Sequence, residues 1–197
     1  MNARILRFVC VVATTTCLSC QSDQPTVAGP SSSPPVVPAS PTPAPSPAPG
    51  TPTTVTTDAQ LFALIATTDP FAAYRLFPNA DEIASGSSAH QPLVRTSMNA
   101  IAFSALQNGR LPVGAKFPDG SVVFKEVRAN AEATTTYAVT FKSTSSPLAG
   151  GGWLWAELNP NGTIGYSISN RGSGCVGCHS LGLGLQNDLV RTFERQH

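Results

Sequence analysis

A chain of 197 residues with a formal net charge of +1 and 12% charged side chains carries no electrostatic footprint for nucleic acid or for a strongly charged partner. Its apolar fraction of 41% is enough for one domain with a real core, but its 18 prolines and five cysteines cluster in separate stretches.

Arg4 and Arg7 form a basic start, followed by the apolar run 8–13, which is too short to span a bilayer. The run ends at Cys17-Leu18-Ser19-Cys20, which resembles a bacterial lipobox although Cys17 stands where that motif prefers leucine. The resemblance implies that residues 1–20 are a signal peptide of lipoprotein type and that Cys20 becomes the diacylated N-terminus. The alternative is an ordinary signal peptide cut nearby. Gln21 after Cys20 resembles lipoproteins sorted to the outer membrane, so the expected location is the periplasmic side of a bacterial envelope. The only membrane contact expected is the lipid anchor, since no later segment could span a bilayer.

Residues 21–57 hold eleven of the 18 prolines and a single charge, Asp23. Such a segment cannot bury a core and reads as a disordered linker, partly polyproline II, with a reach on the order of 80–90 Å. Residues 58–197 remain for one folded domain.

In that domain Thr57 and Gln60 form a capping box for a helix through Leu61, Leu64 and Ile65. Asp69-Pro70 stops it and starts a second short helix carrying Phe71, Tyr74 and Phe77. Residues 78–88 read as loop, and Met98 as a strand end or loop. Asn99 caps a third helix, with Ile101, Ala102, Phe103 and Leu106 inward and Gly109 at its close. The period then changes from 3.6 to 2. Strands are expected over 121–128, 135–142, 153–158 and 163–168, with turns at Pro118-Asp119-Gly120 and Asn159-Pro160-Asn161-Gly162. A short helix is expected over 187–196. The fold class is α+β, mainly antiparallel β sheet with a few helices.

After the last strand comes Cys175-Val176-Gly177-Cys178-His179, eighteen residues from the C-terminus. CxxCH is the attachment motif of a c-type haem: two thiols three positions apart add to the porphyrin vinyl groups, and the adjacent histidine binds iron as axial ligand. A thioredoxin-like pair sits at a helix start after a strand, whereas the glycine-rich flanks here read as loop. A structural zinc site wants four ligands, and His90 and His197 form no second pair. The reading is therefore haem c, with Cys175 and Cys178 as attachment points and His179 on the iron. No methionine follows His179, and Met98 is read as core more than as ligand, so a five-coordinate iron that binds small molecules is expected. The alternatives are an electron-transfer cytochrome with a six-coordinate haem, using Met98 or His90, and a haem-free binding module.

Several stretches in order resemble the cytochrome P-460 superfamily and its relatives, the β-type cytochromes c′. They are Phe117-Pro118-Asp119-Gly120-Ser121-Val122-Val123-Phe124-Lys125-Glu126, then Gly151-Gly152-Trp153-Leu154-Trp155, the hairpin at Asn159, the CxxCH, and Asn187-Asp188-Leu189-Val190-Arg191-Thr192-Phe193. The resemblance implies a P-460-like fold, a homodimer with one haem per subunit, a redox partner cytochrome and a small gaseous or nitrogen-oxide ligand. In hydroxylamine-oxidising members a lysine is bonded to the porphyrin, and Lys125 falls at that position; it shares a strand face with Val123 and Val127. Those members also carry a distal carboxylate on the following strand. Residues 134–141 contain none, and Glu132 and Glu157 do not fall in register. A distal face of Tyr137, Val139 or Phe141 would be apolar, which favours binding of nitric oxide or carbon monoxide over proton-coupled oxidation.

Overall fold

The computed structural model describes residues 53–197. The stretch read as a signal peptide, with Cys20, and residues 21–52 of the stretch read as a linker lie outside the described residues. Among those described, no helix is long and apolar enough to cross a membrane.

The capping box at Thr57 forms as its residues demand. Gln60 N donates to Thr57 Oγ1 at 3.2 Å, and Gln60 Oε1 accepts from Thr57 N at 3.2 Å. This starts α1 (Asp58–Ala63), which widens into a π turn over Leu64–Thr68. Leu61, Leu64 and Ile65 are buried, and Val55 is buried with them, so the core reaches back into the last residues assigned to the linker.

The second helix is reduced to one 3-10 turn, Phe71–Ala73. Strand pairing wins over helical period here, because β1 (Arg75–Leu76) pairs with Met98 and Ser97. The stretch read as loop contains β2 (Ala84–Ser87), whose small polar residues carry no apolar alternation to reveal it. β3 (His90–Met98) follows, with Met98 at its end. Asn99 caps α2 (Ala100–Ser104) through Oδ1, which accepts from Ala102 N and from Val122 N, both at 3.0 Å. The helix stops well before Gly109, and Ile101 faces solvent rather than the core.

β4 (Val122–Arg128), β5 (Thr134–Lys142), β6 (Trp153–Leu158) and β7 (Ile164–Tyr166) complete one antiparallel sheet in the order β1-β3-β4-β5-β6-β7, with β2 also on β3. The described chain is thus a mixed α/β protein dominated by an open antiparallel sheet with few helices. Alternation sorts the strands onto two faces. Val122, Phe124, Val139, Phe141 and Leu154 pack on α1, where Phe71 stacks on Phe124 with centroids 4.6 Å apart. Met98, Val123, Trp153 and Trp155 face Ala102 of α2 and the C-terminal segment at Leu189, Val190 and Phe193. That segment makes a 3-10 turn, Arg191–Arg195, in place of the helix expected over 187–196. Asp188 and Leu189 adopt positive φ (53° and 69°), which a helix does not tolerate.

Met98 is fully buried in this second core. Met98→Ala should cost about 2–5 kcal/mol through the cavity it leaves. Urea unfolding should record that loss, while any haem spectrum stays unchanged.

Candidate functional site

The CxxCH stretch is itself one helical turn, α3 (Cys175–His179), and two glycines set its place. Gly172 has φ +69°, and a Cβ there would lie 2.6 Å from Trp155 Cδ1, so only glycine lets the turn before the motif close on the indole. A Cβ at Gly184 would collide with the His179 carbonyl, so the following loop folds back directly beneath the motif.

That return brings the Leu189 carbonyl to His179 Nδ1 at 2.8 Å. A carbonyl only accepts, so in the neutral ring Nδ1 carries the proton and Nε2 holds the lone pair. Burial pushes this imidazole down to about 4; Lys125, His90 and Arg191 act the same way, against the Leu189 carbonyl. The ring is therefore neutral at neutral pH, the state a metal requires. Trp155 holds it edge-on, with centroids 4.8 Å apart. Cys175 and Cys178 are free thiols, the first half-buried and the second exposed. Burial pushes the Cys175 thiol up, the reverse of what an attacking redox thiol needs. The motif does open a helical turn, contrary to a purely loop reading, but a 3-10 turn at Ile168–Asn170 precedes it rather than a strand.

Both thiols and His179 line a cavity of about 440 Å³, within the usual range for small-ligand and cofactor pockets. Its opposite wall is the second face of the sheet, and register explains its composition. Thr96 pairs with Lys125, Lys125 with Ala138, Ala138 with Glu157 and Glu157 with Tyr166, so one cross-strand row faces the cavity. Val123, Thr140 and Trp155 form the next row.

Lys125 is thus where the strand pattern puts it, in the same cavity as the CxxCH. Burial, then the charges of Arg195 and Arg191, push its amine down to about 8. Its Nζ lies 3.5 Å from His90 Nδ1, and His90 Nε2 lies 3.4 Å from Glu157 Oε1. The contact with His90 holds the Glu157 carboxyl below its ordinary value, against burial and helped by the charges of His90 and Lys125. An amine near 8 is partly neutral, and hence nucleophilic, at mildly alkaline pH. In the haem-free chain, reductive methylation of Lys125 should rise through about pH 8. A midpoint near the ordinary lysine value would contradict the burial.

Three expectations change. Tyr137 and Phe141 pack into the core around Phe124 and line no part of the cavity; Ala138 and Thr140 do, together with Val139, whose side chain is otherwise buried in that core. Glu157 is in the site, because β6 alternates Trp153, Trp155 and Glu157 onto one face; extending that period was the available signal. Glu132 is exposed in the turn between β4 and β5. His90, read as unpaired, faces His179 across the cavity. Arg191 was also missed. It is tied to Glu194 at 2.8 Å and donates to the Cys178 carbonyl at 3.3 Å. No sequence period marks it, because an irregular loop brings it there.

The arrangement offers two thiols and one metal-ready imidazole nitrogen on one wall, with an amine, an imidazole and a carboxylate on the other. In comparisons with known proteins, no family model matches this chain and no curated protein matches it.

Proposed function

We propose that this chain is an envelope mono-haem c-type cytochrome on a P-460-like fold, binding or converting a small nitrogen-oxide ligand such as nitric oxide or hydroxylamine. The observation that carries the reading is the donor set of α3: two free thiols flanking a neutral histidine whose Nδ1 is committed to Leu189, in the wall of a cavity of about 440 Å³. These residues fit a haem held through Cys175 and Cys178 with His179 Nε2 on its iron. Bound there, haem supplies ligand binding and one-electron chemistry.

The chain's own contribution is orientation and proton handling. Leu189 and Trp155 fix the ring of His179. Lys125 would lie beside a haem held there, and Glu157, ionised beside His90, would be the group to accept a proton from its ligand. This polar wall supports conversion of a protic substrate such as hydroxylamine as well as gas binding. Electrons would pass to a partner cytochrome, from a homodimer held at the membrane by the Cys20 lipid. The electron-carrier reading loses Met98 as a ligand, since it is sealed in the core, and retains only His90.

The test is the full chain matured with its haem. The reduced protein should bind carbon monoxide, which would change its absorption spectrum. A bond between Lys125 and the porphyrin would red-shift the ferrous Soret band, appear as a linked peptide by mass spectrometry, and vanish in Lys125→Ala together with hydroxylamine oxidation. Without that bond the protein works as a gas binder. Reduced haem indifferent to carbon monoxide would overturn the ligand-binding function.

A further inference from the structure

His90 and His179 face each other across the cavity with ring centroids 6.4 Å apart and planes at 75°. Two metal–imidazole bonds of about 2 Å each, plus the two half-rings, span about 6–6.5 Å. The gap therefore has the width of one metal ion between two imidazoles. It leaves no further room for a ligand between that metal and His90.

His90 is only loosely committed elsewhere. Its contacts to Lys125 at 3.5 Å and Glu157 at 3.4 Å are both long for hydrogen bonds. A histidine on a metal generally gives its other ring nitrogen to a carboxylate or carbonyl. Glu157 is placed for that, as the Leu189 carbonyl is for His179.

Resting on the haem reading, we propose that His90 is the sixth ligand of the resting iron and is displaced by the incoming small molecule. In that exchange one iron–nitrogen bond breaks, one bond to the ligand forms, and no oxidation state changes. To admit the ligand the released imidazole must leave this position beside Lys125 and Glu157, whose long contacts hold it there only loosely. The fraction of protein with His90 off the iron then scales the apparent ligand affinity. The site rests six-coordinate rather than with an open position, and ligands that cannot displace an imidazole are screened out.

The experiment uses the haem-loaded full chain and reads ferric electron paramagnetic resonance and ferrous absorption. Wild type should be low-spin with the signature of two imidazoles, and carbon monoxide should bind at a rate that saturates with concentration as His90 departure becomes limiting. His90→Ala should be high-spin, bind carbon monoxide at least about tenfold faster without saturation, and regain the low-spin spectrum on addition of free imidazole. A high-spin wild type overturns the proposal whether or not the variant folds, as does a low-spin spectrum that survives His90→Ala. Haem staining of the denatured chain separates the two levels: stained but high-spin protein sinks His90 alone, whereas an unstained chain sinks the haem reading and this inference with it.

Discussion

Replacing Cys175 and Cys178 together by alanine is expected to abolish haem-peroxidase staining of the denatured chain in cells competent to mature c-type cytochromes. Once the protein is unfolded, His179 cannot retain haem, so only covalent bonds keep the stain with the polypeptide. The two thiols are free and lie on one helical turn beside the cavity, and no other cysteine is present from residue 21 onward. Each single variant should keep a reduced amount through its remaining thioether. The double variant should keep none while retaining its sheet content by circular dichroism, because Cys178 is exposed and Cys175 is only half-buried at the edge of the second core. An unstained wild-type band from such cells would sink the haem assignment. Staining that persists in the double variant would sink the attachment residues.

The second large effect lies behind the site, at Asp188. Its carboxylate is 2% exposed and accepts from Lys142 Nζ at 2.7 Å and from Phe117 N at 3.0 Å, while the Lys142 side chain is 3% exposed. Removing one partner of a buried ion pair strands the other charge, a loss of about 3–5 kcal/mol. Against a total stability of about 5–15 kcal/mol this is a large share. Asp188→Asn is the cleanest variant, because asparagine tolerates the left-handed backbone at φ 53° and removes only the charge. Pairing it with Lys142→Met should restore part of the loss, since a charge-free pair leaves nothing stranded. The same residue anchors the site. Trp153 Nε1 donates to the Asp188 carbonyl at 2.8 Å, and the next carbonyl, that of Leu189, holds His179. Asp188→Asn should therefore lower the urea midpoint and, on the haem reading, disturb the haem spectrum as well. A stability loss under about 1 kcal/mol would mean that the pair is not effectively desolvated.

Several parts of the fold follow from local chemistry alone. Thr57 and Gln60 close a capping box because each satisfies the other's exposed backbone donor. Asn99 caps α2 for the same reason, and the strands from 122 onward follow from period-2 alternation. CxxCH is equally local, since the spacing of its thiols and imidazole is fixed within one turn. The fold class and the placement of Lys125 on the Val123 face came from the same alternation.

What faces the CxxCH was decided only by tertiary structure. β2 and β3 are strands because β4 supplies their pairing, directly or through β3; their residues, among them Gly86 and Pro92, carry no alternation. Glu157 reaches Lys125 only because β5 sets the register between β4 and β6. His90 comes opposite His179 from 89 positions earlier in the chain, through a strand end and a glycine-rich loop that no periodicity links. The Leu189 carbonyl that fixes the His179 tautomer is a backbone group, and every residue has one. Its role arises from the left-handed turn at Asp188 and Leu189, which the buried Lys142–Asp188 pair holds in place. Local pattern can name the CxxCH. The polar wall opposite it is assembled by register and loop return, where pairing energy and burial outweigh any preference a short window of sequence can express.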